Sequence, residues 1–301
     1  MFLVRQYCLL LLTAVIWGSG FIGQKLGMDH VSPFTFTFFR TFLGGLFLLP
    51  VIAALKGLRI RRGRTLENRP GRWRDFFLGS LCCGTCLIVA ESFQQFGIAG
   101  TEVNKASFVT STYIIFVPLL GVLFGHHAGF KLWSAVTLSV AGLYLMCVHE
   151  GLTLEKHDLL VLTGGLCFAC HILVIARFVA RVDGVILSCG QFFVASVLGF
   201  FMMLCTGMPD LQQLRLAAPA FIYCGIMSNG IAYTLQVVGQ RGVNPTVATL
   251  IMSLESVFGA LLGVLYLGEH MGAAEITGAL LMCVAVIITQ IPSRPAAASA
   301  P

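Results

Sequence analysis

The sequence predicts an all-α integral membrane protein with ten transmembrane helices, arranged as two inverted five-helix repeats. Three observations lead to this fold class: an apolar composition, long apolar runs and an internal repeat. Of the 301 residues, 57% are hydrophobic and only 11% are charged, and the mean hydropathy is +0.89. Soluble domains carry about 25% charged residues, so a chain this apolar needs lipid as its solvent. Membrane-spanning strands would alternate in polarity over about 10 residues, whereas the runs here are unbroken, which indicates helices.

Ten apolar runs of spanning length follow one another along the chain. A helix needs roughly 20 apolar residues to cross the hydrocarbon, and charges, Gly and Pro separate the runs. No signal-peptide cleavage site follows the first run, so we expect it to be retained as a helix. The predicted spans are 6–25, 34–55, 76–97, 103–125, 131–149, 158–178, 185–206, 217–238, 245–267 and 273–291. Residues 292–301, rich in Pro, Ala and Ser, are expected to form a disordered C-terminal tail.

The distribution of basic residues predicts which way the helices run. The 56–75 loop carries eight Lys and Arg residues, and cytoplasmic loops are enriched in these residues. With both termini inside, 14 Lys and Arg residues are cytoplasmic, four are outside and Arg40 lies within a helix. This predicts a multi-pass protein of the cell membrane, specifically a bacterial inner membrane, with cytoplasmic N- and C-termini. Because the net charge of +6 is segregated by loop, it does not indicate a nucleic-acid partner.

The two halves of the chain resemble each other. At an offset of 142, residues 100–123 match residues 242–265 at nine of 24 positions, and Leu119–Leu123 recurs identically as Leu261–Leu265. Earlier in each half the offset is 151. Because a unit of five helices enters the membrane from opposite sides when it is repeated once, the halves are predicted to be inverted, which allows alternating access around a site between them. The predicted repeats are 6–149 and 158–291.

Several short segments make the sequence similar to a known family. They are Trp17–Lys25 with Ser32–Phe34 and Arg40, Phe168–Ile172 with Gln191, Ser253–Phe258, and Leu267–Glu269. On these segments the chain resembles the EamA-type branch of the drug/metabolite transporter superfamily, over roughly residues 6–291. The resemblance implies ten helices, two EamA units and transport of small metabolites, often as export, but no particular substrate. One departure is Ser256, where the family often has proline, so a kink there is expected to be weaker.

Polar and ionisable side chains within the predicted spans are the candidates for function. An ionisable group costs about 2.5–3.5 kcal/mol to place at membrane depth, so its presence calls for an explanation. The eighth helix carries Asn229 and Tyr233 at positions i and i+4 of one face. The repeat pairs Glu91 with Tyr233 at the 142 offset and Arg40 with Gln191 at the 151 offset. Both halves are therefore predicted to turn polar groups towards a shared central cavity.

These considerations give a set of candidate site residues. Those predicted to line the cavity and contact the substrate are Trp17, Gln24, Arg40, Glu91, Gln95, Tyr113, His171, Gln191, Asn229, Tyr233 and Gln236. Glu255, near the middle of the ninth span, is predicted to carry a proton or contact a cation. The alternative for these groups is a structural role, with Arg40 pairing with Glu91, His171 packing in the core and Trp17 filling a gap between small residues. No residue is predicted to be catalytic.

All eleven cysteines fall within predicted spans, where a thiol packs as a small hydrophobe. The segment Cys167–His171 matches the C-x-x-C-H pattern of haem attachment. That attachment needs an exposed segment with room for a porphyrin, whereas these residues lie in the middle of a span. We therefore expect no cofactor and no metal, and the cysteines are predicted to serve packing.

The predicted function is secondary transport, as export, of small polar or amphipathic metabolites such as amino acids, by alternating access and with proton coupling through Glu255. The alternatives are a multidrug or cationic-compound exporter and, less favoured, a non-transporting receptor or assembly factor. No Walker, H-E-x-x-H or G-x-S-x-G motif is present, so an enzyme is not expected. The expected partners are a small-molecule metabolite and the lipid bilayer. A homodimer is also considered, since Gly121-x-x-x-Gly125 and Gly259-x-x-x-Gly263 allow close helix approach.

Overall fold

The structure is a computed structural model and describes residues 1–61, 72–101, 103–123, 129–147, 155–262, 264–265 and 270–291. Several sequence-based predictions lie outside these residues. They are the disordered tail 292–301, the Leu267–Glu269 segment, Gly125, Gly263 and the part of the basic loop at 62–71.

The described chain consists of helices joined by short connections. The helices are α1 (Phe2–Met28), α2 (Pro33–Arg61), α3 (Arg72–Gly100), α4 (Val103–Thr110), α5 (Tyr113–Leu123), α6 (Phe130–Cys147), α7 (Lys156–Phe178), α8 (Gly184–Thr206), α9 (Leu211–Tyr223), a π-helical segment (Cys224–Tyr233), α10 (Thr234–Gly239), α11 (Pro245–Met252), α12 (Glu255–Leu262) and α13 (Ala273–Gln290). Within the described ranges no strand is formed, and nine helical stretches are long and apolar enough to cross a membrane. Phe130–Met146 is a further, shorter apolar helix. The predicted all-α membrane fold is confirmed, whereas the inversion of its halves stays a prediction.

Polar caps set the start of several helices. The Asp183 side chain accepts from the backbone N–H groups of Val185 and Ile186 at 3.1 and 3.4 Å, which satisfies two of the unpaired donors at the start of α8. Asp210 and Gln213 form a reciprocal capping box at the start of α9. Each cap fixes where the chain leaves a connection and enters the membrane.

The eighth predicted span differs from the structure in two respects. Because Asp210 caps the helix, α9 begins at Leu211 rather than at residue 217, and Arg215 lies in a helix instead of an outer loop. The same crossing contains the π-helical segment Cys224–Tyr233, whose wider turns depart from the spacing of 3.6 residues. Asn229 and Tyr233 are nevertheless both buried.

Two predicted spans are broken near their middle. The fourth is interrupted at Ser111–Thr112, between α4 and α5, and the ninth at Ser253–Leu254, between α11 and α12. At both breaks, backbone N–H groups bond to the carbonyl three residues earlier instead of four. The Ile114 N–H donates to the Ser111 carbonyl at 3.1 Å, and the Ser256 N–H donates to the Ser253 carbonyl at 3.3 Å. The Ser111 and Ser253 hydroxyls donate to the carbonyl oxygens of Ser107 and Leu250, and serine hydroxyls that bond nearby carbonyls compete with the helix ladder.

Small residues permit the closest crossings between helices. A Cβ atom added at Gly142 of α6 would lie 2.5 Å from the Gly278 carbonyl oxygen of α13, so these two backbones are in direct contact. A Cβ at Gly18 of α1 would lie 2.7 Å from the backbone nitrogen of Gly259 and 2.8 Å from the carbonyl oxygen of Glu255. Gly259 therefore packs within the chain, and Gly18 brings the middle of α1 against the first turn of α12.

Candidate functional site

A small cavity of about 30 Å³ lies where helices from both halves of the chain meet. It lies next to both broken crossings, and α1, α2, α3, α4, α5, α7, the π-helical segment, α10 and α12 all contribute to its wall. The predicted site residues that line it are Trp17, Gln24, Arg40, Tyr113, Tyr233, Gln236 and Glu255. Residues from widely separated parts of the sequence are thus brought to one site.

Arg40 is the centre of a buried polar network on one side of this cavity. It is 1% exposed and forms an ion pair with Glu91, which is 0% exposed. Its Nη1 donates to Gln24 Oε1 at 2.7 Å and to Gln95 Oε1 at 3.5 Å. The Nδ2 of Asn229 donates to Glu91 Oε1 at 3.2 Å. These residues belong to α1, α2, α3 and the π-helical segment, so one polar network around the Arg40 guanidinium connects four elements.

The ion pair explains how two charges are tolerated at membrane depth. A buried charge is costly unless an opposite charge and hydrogen bonds compensate for it, and Glu91 supplies that charge for Arg40. Close backbone packing holds the pair in place, because a Cβ at Gly225 would lie 3.1 Å from the Arg40 carbonyl oxygen. The structural alternative considered for Arg40 is therefore realised in the geometry, while its side chain also borders the cavity.

Glu255 is placed differently from Glu91. It is the first residue of α12 and is 2% exposed. Its Oε1 accepts from the hydroxyl of Tyr113 at 3.0 Å and from that of Ser111 at 3.4 Å. In the part of the chain that the structure describes, it forms no ion pair. Its carboxyl group is thus held by neutral donors only, at a position that borders the cavity.

An aromatic wall completes the site. The rings of Trp17 and Tyr233 meet edge to face with centroids 4.7 Å apart, and Phe192 packs behind Tyr233 at 6.2 Å. His171 also lies behind Tyr233, with ring centroids 6.0 Å apart, and its Nε2 is 3.0 Å from Gln191 Oε1. His171 and Gln191 therefore support the aromatic wall and do not line the cavity.

Three polar atoms of the lining residues have no hydrogen-bond partner among the residues that the structure describes. They are the donors Trp17 Nε1 and Arg40 Nε and the acceptor Gln236 Oε1, all of them buried. Buried polar atoms in native proteins are almost always paired with protein, water or ligand. The cavity wall therefore offers both donors and an acceptor to whatever occupies it.

The remaining predicted site residues lie one layer behind the cavity wall. Glu91 and Gln95 bond to Arg40, Asn229 bonds to Glu91, and Gln191 bonds to His171. Sequence patterns predict that such residues lie at membrane depth. They do not distinguish residues that line a cavity from residues that bond to the lining from behind.

Several lining residues are absent from the predicted set. They are Phe21, Gln94, Thr110, Phe168, Ile172 and Ser228. Two of them follow from patterns in the sequence, because Phe21 is one helical turn after Trp17 and Gln94 shares the face of Glu91. Phe168 and Ile172 belong to a segment that carries the family resemblance, whereas no pattern in the sequence indicates Ser228 as a lining residue.

Among the residues that the structure describes, no three His, Cys, Asp or Glu side chains form a group that could hold a metal ion. Cys167 and Cys170, which suggested the haem-attachment pattern, are partly buried on α7. The next residue, His171, already has its Nε2 within hydrogen-bond distance of Gln191 Oε1. The chemistry that the site can perform is therefore recognition by hydrogen bonds and charge, with one carboxyl group that is free of a cationic partner in the described structure.

Comparison with known proteins places the chain among membrane transporters. A model of the EamA-like transporter family matches residues 4–148 and again residues 156–291. An uncharacterized transporter of Archaeoglobus fulgidus is 28% identical over 94% of this chain and 84% of its own length. An uncharacterized transporter of Bacillus subtilis, YwfM, is 24% identical over 96% and 95%, and a chloroplastic WAT1-related protein of Arabidopsis thaliana is 22% identical over 95% and 70%. One solved crystal structure shares the fold with a TM-score of 0.73 at 16% identity, covering 95% of this chain and 96% of the other.

Proposed function

The chain belongs to the EamA-like transporter family, and we propose that it exports small polar or amphipathic metabolites, such as amino acids, by secondary transport. The family and the transporter relatives identify a multi-pass membrane transporter and not an enzyme. The observation that carries the proposed substrate class is the lining of the central cavity, where hydrogen-bond donors, acceptors and aromatic rings face one small volume.

Equivalent contacts in the two halves support the proposed inverted repeat. His157 Nδ1 lies 3.1 Å from the Phe96 carbonyl oxygen, and Gln6 Nε2 donates to the Val238 carbonyl oxygen at 2.8 Å. Positions 6 and 157 are related by the 151 offset, and positions 96 and 238 by the 142 offset. Each half thus ties the start of its first helix to the end of the other half's third helix, as a pseudo-twofold arrangement requires.

The broken crossings support the same arrangement. The breaks at Ser111–Thr112 and Ser253–Leu254 are separated by 142 residues. So are Tyr113 and Glu255, which are the first residues of α5 and α12 and are hydrogen-bonded to each other. Interrupted helices that meet between two repeats are typical of transporter substrate sites. In our proposal the two halves rock about this meeting point and open the cavity to one side at a time.

The cavity wall supports a substrate that carries both a negative and a positive group. The unpartnered donors of Arg40 and Trp17 would bind a carboxylate, and the acceptors Gln236 and Glu255 would bind an ammonium group. Trp17 and Tyr233 would cover the apolar part of the molecule. An amino acid or a close derivative has this combination of groups.

Proton coupling is proposed for Glu255 because no charged partner in the described structure neutralises it. A carboxyl group at this depth can exist protonated when the cavity is closed or empty and ionised when it is wetted or faces a cation. Exchange of a proton for a cationic group would then link export of the substrate to entry of a proton.

The distribution of Lys and Arg supports the proposed topology. With 14 of these residues on the side of both termini and four on the other, the N- and C-termini are proposed to be cytoplasmic, in the inner membrane of a bacterial cell. In this orientation α1 begins inside and the turn between α3 and α4 faces outside.

A comparison of excreted metabolites would test the proposed function and identify the substrate. Cells that overproduce the protein are expected to release at least one zwitterionic metabolite several-fold faster than cells that lack it. The same compound should raise the melting temperature of the purified protein, since a ligand that binds only the folded state stabilises it. Equal excretion by both strains, together with a stable protein partner and no thermal shift across a metabolite panel, would favour a receptor or assembly factor.

Export of cationic compounds is a second candidate function. It is favoured by the pairing of Glu255 with an aromatic wall of Trp17 and Tyr233, since aromatic faces and carboxylates both attract organic cations. This function predicts that overproduction lowers the sensitivity of cells to cationic dyes. Unchanged dye sensitivity alongside increased excretion of a zwitterion would exclude it as the main activity.

A further inference from the structure

A buried polar cluster lies away from the cavity, where α3 ends and α4 and α7 begin. The carboxyl group of Asp158 is 0% exposed and forms a 2.6 Å ion pair with Lys105 Nζ. It also accepts from the Thr101 hydroxyl at 2.7 Å and from the Glu155 backbone N–H at 2.8 Å. Lys105 belongs to α4 and Asp158 to α7, so the ion pair joins an element of the first half to one of the second.

Lys25 of α1 also binds the turn between α3 and α4. Its ammonium group donates to the carbonyl oxygens of Ile98, Ala99 and Thr101 at 2.9, 3.2 and 3.3 Å. Cations stabilise the exposed carbonyls at a helix C-terminus, and here the cation of α1 is placed at the end of α3. The turn between α3 and α4 is therefore held from α1 and from α7 at once.

The opposite end of the bundle is closed by different chemistry. Through the repeat offsets, Tyr7 corresponds to Asp158, Val243 to Thr101 and Val247 to Lys105. These counterparts belong to or pack against one apolar cluster. The residue that corresponds to Lys25 is Ala176. One end of the cavity is thus closed by an ion pair with its hydrogen bonds, and the other by apolar packing together with the hydrogen bonds of Gln6 to the Val238 and Arg241 carbonyl oxygens.

The polar end is mechanically connected to the cavity through α4. This helix carries Lys105 near its start and ends at Thr110, which lines the cavity and receives a 3.0 Å hydrogen bond from Gln94 Nε2. The break at Ser111–Thr112 follows directly. Because α4 is a short helix between a turn and a break, it can move as a rigid body without bending a continuous span.

We propose that Lys105 and Asp158 form a latch that holds one end of the cavity closed, with α4 as the gate that pivots at Ser111–Thr112. This inference rests on the proposed alternating access between the two halves. Release of the ion pair separates α4 from α7 and opens the cavity at the latch end, while the apolar seal around Tyr7 keeps the other end shut. In the proposed topology the latch faces the outside, so it controls release of an exported substrate.

Side-specific labelling of a cysteine in the cavity tests the latch. Ser228 lines the cavity and is replaced by cysteine as a reporter, which is labelled with a charged, membrane-impermeant methanethiosulfonate in right-side-out and in inside-out vesicles. The signal is the increment over the chain without the reporter, because native cysteines are present. A separate Lys156→Cys reporter, at the exposed start of α7, shows which vesicle face carries the latch.

Lys105→Gln and Asp158→Asn are each expected to raise the labelling rate from the latch side by about tenfold, and to lower it from the other side, because each removes the charge-assisted contact that holds α4 against α7. The double variant should not exceed the stronger single variant, since both remove one interaction. Asparagine keeps a side-chain oxygen for the Glu155 N–H, and Lys105 is 19% exposed, so both chains should fold. Arg181→Gln, which breaks an exposed pair with Asp75, and Tyr7→Phe are matched controls expected to behave like the wild type.

The outcomes separate the latch from the transport proposal. A wild-type chain labelled from both sides, with unchanged rates in both latch variants, would overturn the latch and leave alternating access intact. Additive effects of the two substitutions would also overturn it, because the residues would then act independently. Labelling of the reporter from one and the same side only, or from neither, in the wild type and in both latch variants alike would contradict alternating access and the latch with it.

Discussion

Replacing Arg40 with glutamine is expected to lower the free energy of unfolding by about 3–5 kcal/mol, because it leaves the carboxylate of Glu91 buried without a positive partner. Glu91 is 0% exposed, and its remaining hydrogen bond from Asn229 does not compensate for a charge. The measurement is thermal or denaturant unfolding of the purified protein in detergent. Arg181→Gln is the matched control, since an exposed ion pair contributes at most about 1 kcal/mol.

The double variant Arg40→Gln/Glu91→Gln separates the contribution of this ion pair to stability from its contribution to substrate binding. Removing both charges leaves no uncompensated ion, so the double variant should be more stable than Arg40→Gln alone. If it folds but no longer shows a substrate-induced thermal shift, Arg40 also contacts the substrate. A single Arg40→Gln variant as stable as the wild type would show that the pair does not hold the four elements together.

Replacing Glu255 with glutamine is expected to abolish accumulation driven by a pH gradient while leaving substrate exchange in place. Glutamine has the shape of the protonated acid, so Tyr113 and Ser111 keep an acceptor, but the residue can no longer release a proton. In proteoliposomes with a gradient of about one pH unit, wild-type protein should concentrate substrate up to about tenfold. The variant should reach only equal concentrations inside and outside.

Counterflow exchange without a gradient is the control for a folded and open cavity in this experiment. It should persist in Glu255→Gln within about threefold of the wild-type rate, since the protein can change between its two open conformations without a change in the protonation of residue 255. Tyr113→Phe offers a matched comparison, because it removes a hydrogen bond to the carboxyl group but keeps the carboxyl group itself. Coupling of wild-type strength in Glu255→Gln would refute the proton role and assign it to another residue.

The order and type of the helices could be predicted because the length of an apolar run determines whether it crosses a membrane. The repeat, which aligned Glu91 with Tyr233 and Arg40 with Gln191, predicted a cavity shared by both halves; Tyr233 and Arg40 line the observed cavity, whereas Gln191 contacts His171 behind its wall. The Arg40–Glu91 ion pair could be stated as an alternative, since a buried charge needs a partner. Composition and periodicity thus capture the features of the fold that depend on transfer from water to lipid.

The breaks and the layering of the site could not be predicted in the same way. Ser111 and Ser253 interrupt their crossings through local hydrogen bonds, and a serine in an apolar run is equally compatible with a continuous helix. The π-helical segment Cys224–Tyr233 changes the phase of its crossing, which helical spacing assumes to be constant. Gln191 and Gln236 therefore look alike in sequence, although one supports the wall and the other lines the cavity.

Proton-coupled transport through the central cavity can be measured with purified wild-type protein in proteoliposomes. The compound identified from excreted metabolites would be followed with a pH gradient of about one unit in either direction and with no gradient. We expect saturable movement of the compound that reverses direction when the gradient is reversed and approaches equal concentrations inside and outside without a gradient. Absence of flux above protein-free liposomes under all three conditions would contradict transport through the cavity, and flux that ignores the gradient would contradict coupling to protons.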